Sequence, residues 1–595
     1  MMTDNAYPRP QLRRSNWRSL NGPWRFTFDH EMSFRVPRDV TDWPLTINVP
    51  FAPESARSGI GDTGFHRACW YQREFDAPDD LRDGRRLLLH FGAVDYNARV
   101  WVNDTKVAVH QGGHTPFGAD ITFALNPGTT QRLTVWAEDD PHDLEKPRGK
   151  QDWRLEPHSI WYPRTTGIWQ TVWLEVVPET YISSLGWTPN LERWEIAFHA
   201  FVEGCHTEKA YVSVRLTCGS HVLADDSYHV IGGEVHRRIG LSDPGIDDYR
   251  NEMLWSPEWP TLIDAEVRLI CDGKVVDTVE SYTALRSIGV QRERILLNGR
   301  PYTLRLVLDQ GYWPDTLMTA PSDEALKRDV ELAKAMGFNG VRKHQKIEDP
   351  RYLYWADVLG LAVFGEMPSA YRFTPKAINR LLREWTEAIE RDSSHPCVVI
   401  WVPFNESWGV PDLPAMPAPR HAVQAFYHLT KCLDPTRLII GNDGWESTAT
   451  DIIGIHDYDG DPGHLRARYG PEVKPQEVVD RRWAGGRILT LDGHPHKGQP
   501  ICLSEFGGVA YIKPGDERYE RGWGYTRYDD IEEYRRRCCA LIESARSTAM
   551  FSAFCYTQFA DTFQEANGLL FDDRTPKLPL EVIHAAVTGN GYVHP

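Results

Sequence analysis

Hydrophobic and polar positions follow three styles along the chain. From Leu20 to about Val177, apolar residues recur at every second position in short runs separated by turns: Trp24–Phe28, Trp70–Phe75, Arg86–Phe91, Arg99–Asn103, Leu133–Ala137 and Thr171–Val177. Period two without helical stretches predicts a β-sandwich. From about Tyr181 to Ser287 the style continues through Ala210–Thr217 and a hairpin over Ala265–Val279 that turns at Asp272-Gly273. This predicts a second sandwich of immunoglobulin size. Approximate seams fall at Pro178 and Ser287, giving expected domains of 1–180, 181–288 and 289–595.

The third style begins near Gln291, where apolar runs without alternation are separated by stretches of 3.6-residue periodicity. The runs are Tyr302–Leu308, Asn339–Lys343, Leu361–Phe364, Val398–Val402, Leu438–Ile440, Asp451–Ile455, Ile501–Ser504 and Met550–Tyr556. Between them lie helix starts with a capping residue: Ser322 before Asp323 and Glu324, Asp349-Pro350, and Thr374-Pro375. The helix after Thr374 repeats apolar residues at Ile378, Leu381, Leu382, Trp385 and Ile389, an inner face for packing on a sheet. Strands buried on both faces alternating with helices over about 300 residues predict a (β/α)8 TIM barrel.

Two of these strands end in carboxylates. The run before Asn405-Glu406 is CVVIW, and ICLS precedes Glu505, 99 residues later. Catalytic groups of a barrel stand at the C-terminal ends of its strands, so both acids can face one cavity. Two facing carboxylates are the equipment of a glycosidase, whereas an interior ion pair with arginine is the structural alternative.

Composition narrows the partners. A net charge of −17 with no basic stripe argues against nucleic acid, and no apolar stretch approaches membrane-spanning length. The start MMTDNAYPRPQLRRSNW has no apolar export segment, and the ten scattered cysteines include no CxxC pair. They read as small core residues of a reduced, cytoplasmic protein. A homo-oligomeric state stays open. The 22 tryptophans serve core packing, with some available to stack on sugar rings.

Several segments resemble glycoside hydrolase family 2, the family of β-galactosidases and β-glucuronidases. SLNGPWRF, WYQREF, FGAVDYNARVWVN and TGIWQTVWLE look like its N-terminal sugar-binding domain, which has a jelly-roll sandwich. LWSPEWP and LNGRPY are similar to the end of its middle domain and the start of its barrel. RDSSHPCVVIWVPFNES resembles its acid/base signature, and QPICLSEFGG its nucleophile strand. The resemblance implies a retaining exo-glycosidase, with Glu406 as acid/base and Glu505 as nucleophile. It further implies that Asn405 binds the sugar's 2-hydroxyl. Tyr458 would hold the nucleophile, and His456 and His344 would touch substrate. Arg342 and Glu366 would support the site.

Departures bear on the substrate. LVLDQGYWPD places Asp309 and Gln310 after the first strand, where β-galactosidases have a His-rich motif. Met367-Pro368-Ser369 replaces the residues that complete their Mg2+ site, so no metal or cofactor is expected. The Asn-x-Lys that holds glucuronate in glucuronidases is replaced within Glu565-Ala566-Asn567-Gly568-Leu569-Leu570. A neutral glycon follows, β-galactosidase-like or a furanose such as β-galactofuranose or α-L-arabinofuranose. Its pocket would include Tyr556 and Gln558. The loop Gly149–Arg164, with Asp152, Trp153 and Trp161, would narrow it from the N-terminal domain, unless these residues plug the domain interface. A sandwich-built binding protein without catalysis is the reading from another class. Two close, mutually repelling carboxylates speak against it.

Overall fold

The computed structural model describes residues 7–590 except 80, 83, 129, 205–208, 243–246, 514 and 516–520. The first sandwich sets a six-stranded antiparallel sheet (Leu45–Val49, Gly22–Phe28, Ala68–Phe75, Gln131–Glu138, Asn97–Val102, Thr105–Gln111) against a four-stranded one (Trp17–Ser19, Val172–Val177, Arg86–Phe91, Phe117–Asp120). Alternate residues of both, such as Phe26, Val100, Leu89 and Leu174, meet in one core. A second sandwich follows, pairing a three-stranded sheet (Tyr181–Asn190, Glu195–Glu203, Glu234–Gly240) with a four-stranded sheet (His221–His229, Ala210–Cys218, Ile263–Cys271, Lys274–Thr283). Its last hairpin turns at Asp272 (φ 49°) and Gly273 (φ 79°), the left-handed pair that a two-residue turn requires.

Eight parallel strands build the barrel: β1 (Leu304–Asp309), β2 (Gly340–Lys343), β3 (Ala362–Glu366), β4 (Val398–Val402), β5 (Leu438–Ile439), β6 (Ile453–Asp457), β7 (Ile501–Gly507) and β8 (Phe551–Thr557). They are ordered 5-4-3-2-1-8-7-6, each starting within two residues of its expected position. Where β5 and β6 face each other, Asp451 substitutes for a ladder. Its N–H donates to the Ile439 carbonyl and its carboxylate accepts from the Ile439 N–H, both at 2.9 Å. The caps Ser322, Asp349 and Thr374 each accept a backbone N–H of the first helical turn.

Parity along the strands separates two cores. Leu304, Leu306, Leu308, Ala553 and Cys555 fill the barrel interior, closed below by Ile295. Val307, Val341, Phe554 and Tyr556 face the helix layer. The interior is therefore solid, and polar groups face a cavity only at the C-terminal strand ends. Of the described cysteines, Cys69, Cys397, Cys502, Cys538 and Cys555 are buried thiols, Cys218 and Cys539 are half-buried ones, and Cys432 is exposed, contrary to a core role for that residue. Cys205 lies outside the described residues. No described helix is long and apolar enough to cross a membrane.

The first sandwich docks on the barrel mouth through residues 148–164. Arg148 and Gly149 both donate their N–H to the Ser369 carbonyl (3.1 Å), and the Tyr371 hydroxyl donates to the Gly149 carbonyl (2.7 Å). Gly149 has φ +56°, and a Cβ there would lie 2.2 Å from the Gln345 carbonyl oxygen. Only glycine fits that approach. Gly149→Ala should therefore lower the melting temperature by about 3 °C or more, since left-handed strain alone costs roughly 1–2 kcal/mol. An unchanged thermal melt would mean the segment is not seated this way.

Candidate active site

Arg342, the third residue of β2, stands fully buried at the centre of the barrel mouth. Its Nε donates to Glu366 at the end of β3 (2.7 Å), and its Nη2 to Asn405 after β4 (2.7 Å). Nη1 donates to Glu505 on β7 (3.0 Å) and pairs with Asp443 after β5 (2.7 Å). Five strand ends thus converge on one guanidinium, whose planar fork suits several carboxylates at once. Burial works against its charge, but Glu366, Asp443 and Glu505 more than restore it.

Glu505 accepts from the Tyr458 hydroxyl (2.5 Å) on its second oxygen. Burial would push its carboxyl upward, yet the charges of His456 and Arg342 hold it below the usual range, so it is ionised at neutral pH. Glu406 follows β4 in a left-handed conformation (φ 52°), as does Ser407 (φ 60°). This strained corner is held by the loop after β5. The Glu406 N–H donates to the Asp443 carbonyl (2.9 Å), the Ser407 N–H to Asn442 Oδ1 (3.0 Å), and the Ser407 hydroxyl to Glu446 (2.6 Å).

His456 links the two acids. Its Nδ1 lies 2.7 Å from Glu406 Oε1, and its Nε2 lies 3.4 Å from both Glu505 Oε1 and Asp443 Oδ2. One oxygen of Glu406, one of Glu505 and a ring nitrogen of His456 all lie within 4.8 Å of one another. Burial favours neutral imidazole, but Glu505, Asp443 and Glu406 outweigh it and raise His456 to about 10. Protonated on both nitrogens through the neutral range, it donates toward the carboxylates on either side. A second metal-competent trio, Asp357, His395 and Cys397, precedes β4. There the Asp357 carboxylate already binds His395 Nδ1 (2.6 Å), the Tyr282 hydroxyl (2.8 Å) and the Cys397 N–H (2.8 Å).

The remaining expected residues divide. His344 Nδ1 lies 3.0 Å from Glu366, whose carboxyl is held at about 2 by Arg342 and His344 against the effect of burial. Gln310 donates to Gln558 (2.9 Å), which donates to Asn567 (2.7 Å), a buried amide chain across β1 and β8. Trp161 donates to the Tyr371 hydroxyl (2.8 Å) and packs edge-on against Trp153 (centroids 4.7 Å apart) at the mouth. Tyr556 is corrected, and Asp152 and Asp309 are engaged within the protein. Tyr556 shares parity with Phe554 and points into the helix layer, its hydroxyl 3.4 Å from Cys538 Sγ, so it cannot line the pocket. Asp152 is fully buried and organises its own loop, accepting from the N–H groups of Arg154 (2.9 Å) and His158 (2.8 Å). Asp309 is committed to Lys343 at 2.6 Å.

Sequence reasoning missed the loop Asn442-Asp443-Gly444, although its polar run directly follows a buried strand just as Asn405-Glu406 does. It also missed Thr557, whose hydroxyl lies 3.3 Å from that of Tyr458, and Tyr525, stacked on Tyr458 at 3.6 Å. Parity on β8 would have singled out Thr557. Tyr525, between segments without periodicity, left no signal.

Comparison with known proteins matches residues 288–589 to the model described as "Glycosyl hydrolases family 2, TIM barrel domain" and residues 37–175 to that family's "sugar binding domain". A β-galactosidase from Thermoanaerobacter pseudethanolicus is 25% identical over 399 residues, 65% of this chain and 50% of that protein. The chain thus spans about half the length of that relative. A β-glucuronidase from Felis catus is 27% identical over 513 residues, covering 76% of this chain and 73% of the relative. Among solved structures, a β-D-glucuronidase of Dictyoglomus thermophilum superposes with a TM-score of 0.75 at 19% identity over 98% of both chains. A β-galacturonidase of Eisenbergiella tayi gives 0.74 at 19% identity over 99% and 100%. Both share the fold.

The raised pKa of His456 has a signed consequence. Its folded value of about 10 lies above its ordinary 6.5, so the stability it contributes is full below pH 6.5 and is lost as pH rises through about 10. Urea unfolding of wild type and His456→Gln should show a stability gap that is wide at pH 6 and narrows toward pH 10. A constant or widening gap would contradict a charged His456.

Proposed function

Because this chain belongs to glycosyl hydrolase family 2, whose barrel model matches more than half of it, we propose that it removes terminal neutral sugars with retention of configuration, Glu505 attacking and Glu406 serving as acid and base. The observation that carries this reading is the carboxylate pair itself. Oxygens within 4.8 Å on β7 and after β4 suit direct attack on the anomeric carbon and leave no room for an intervening water, the spacing of retaining rather than inverting enzymes.

The division of labour follows from the surroundings. Glu505 is buried, ionised and aimed by Arg342 and Tyr458, as a nucleophile must be. Glu406 is more open, its side chain 18% exposed, where a leaving oxygen and later a water can reach it. Four carboxylates (Glu366, Asp443, Glu505, Glu406) surround two cations (Arg342, His456), so the cluster accommodates one further proton. In the first step Glu505 forms a bond to the anomeric carbon while the glycosidic C–O bond breaks and the leaving oxygen takes the Glu406 proton. In the second, Glu406 removes a proton from water, which displaces Glu505 and releases the sugar. Asn405, held on its oxygen by Arg342, has a buried amide nitrogen without a partner, suited to the 2-hydroxyl.

Exo action is supported by the loop of residues 148–164, which walls one side of the mouth. A neutral glycon is supported by the excess of carboxylates over cations in the central cluster and by buried Glu565 where glucuronidases place an amide. Buried thiols such as Cys397, Cys502 and Cys555 agree with a cytoplasmic location.

Glu505→Ala should lower kcat by roughly 10⁴-fold or more, with azide restoring turnover to a glycosyl azide of inverted configuration. Glu406→Ala should spare aryl glycosides whose leaving group needs no proton, and proton NMR of the first product should show retention. Near-normal Glu505→Ala activity or net inversion would sink the assignment.

For a panel of aryl glycosides, the glucuronide should show a kcat/KM roughly 10³-fold below the best neutral sugar. A glucuronide ranking first would reverse the substrate reading.

A further inference from the structure

Five lysines are buried in the described structure, and four have a carboxylate partner: Lys146 with Asp139, Lys343 with Asp309 and Glu348, Lys346 with Glu348, and Lys577 with Asp561. Lys150 is the exception. It is 5% exposed, yet among the described residues its ammonium makes neither a hydrogen bond nor an ion pair. Its nearest marked contact is the face of Trp408, 5.2 Å from the ring centroid.

Its backbone is fixed. The Lys150 carbonyl accepts from the Tyr162 N–H (2.8 Å), and the preceding Gly149 is seated against Gln345. Its position is marked from three sides: Trp408 follows Glu406 by two residues, and the Lys150 charge acts on both His344 at the end of β2 and Glu565 after β8. Glu565 is itself buried. Desolvation pushes its carboxyl up, the Lys150 charge is the main influence drawing it down, and Glu505 adds to the rise. Tyr162, from the same sandwich segment as Lys150, donates its hydroxyl to Glu565. Nearby in the amide chain, Asn567 Nδ2 and Gln310 Oε1 are buried without partners.

The strand ends of β1 and β8 and the sandwich segment therefore bring together uncommitted donors (Lys150 Nζ, Asn567 Nδ2) and acceptors (Gln310 Oε1 and Glu565 Oε1, the Glu565 oxygen not taken by Tyr162). Hydroxyl groups both donate and accept, and so match a mixed set. A carboxylate ligand only accepts, and would set its charge against Glu565 and Glu505. We propose that Lys150 is a sugar-binding residue contributed by the N-terminal sandwich, gripping together with Glu565 a pair of neighbouring hydroxyls on the glycon remote from the anomeric carbon. This rests on the retaining-glycosidase reading and adds to it which groups choose the sugar.

The test uses the full chain carrying Lys150→Met or Lys150→Arg, the best neutral aryl glycoside of the panel, and its monodeoxy analogues. Lys150→Met should lower kcat/KM about 100-fold on the full sugar, with the thermal melt unchanged and Lys150→Arg partly restoring activity. One deoxy position should cost the wild type a similar factor and cost Lys150→Met almost nothing further. Activity within threefold of wild type, or an equal loss on every deoxy analogue, would overturn the grip, the latter marking a purely structural lysine. Preference of the wild type for an aryl uronide, abolished in Lys150→Met, would also overturn it and make Lys150 a carboxylate counterion. Azide rescue of Glu505→Ala, run in parallel, reports on the retaining mechanism independently of these outcomes.

Discussion

Arg342 is the group on which the site depends. A fully buried guanidinium is costly to desolvate, and here it is stabilised because Glu366, Asp443, Glu505 and Asn405 each take one of its N–H directions or its charge. The dependence is mutual. Without the cation, carboxylates this close in a low dielectric could not all stay ionised. The charge of Glu505, the orientation of Asn405 and the placement of the loop after β5 are consequences of one residue at the end of β2.

His456 adds a second cation with a different reach. Arg342 lies beneath the carboxylates, whereas His456 lies between the two reacting ones, touching Glu406 on one nitrogen and facing Glu505 on the other. In the proposed mechanism, as Glu505 loses its charge on bonding to sugar, the balance around this imidazolium shifts toward Glu406. The same histidine thus couples the protonation of one acid to the covalent state of the other, as general acid and general base roles in successive steps require.

Much of this was legible in the sequence because barrel strands buried on both faces leave an uninterrupted apolar signature that ends sharply at polar residues. Asn405-Glu406 and Glu505 stand out against such runs, and Ser322, Asp349 and Thr374 announced their helices by capping chemistry. What failed was side-chain direction, and what stayed hidden was commitment. Tyr556 was placed in the pocket from its position near a strand end, although parity with Phe554 turns it outward. Asp309 and Asp152 looked available because their partners, Lys343 and the N–H groups of residues 154 and 158, are set by tertiary packing and a local loop. Lys150 was invisible for the opposite reason: what distinguishes it is a missing partner, and a missing partner can be seen only in three dimensions.

The seating of Gly149 on the barrel carries a consequence for how such an enzyme changes over time. On the proposed reading, the bond-breaking groups reside on strands whose geometry is locked by the barrel, while part of the wall that meets the sugar hangs from a separate sandwich. Drift in that segment can retune which sugar is accepted without disturbing the machinery that cleaves it. Selectivity and reactivity are thus inherited on different pieces of the chain.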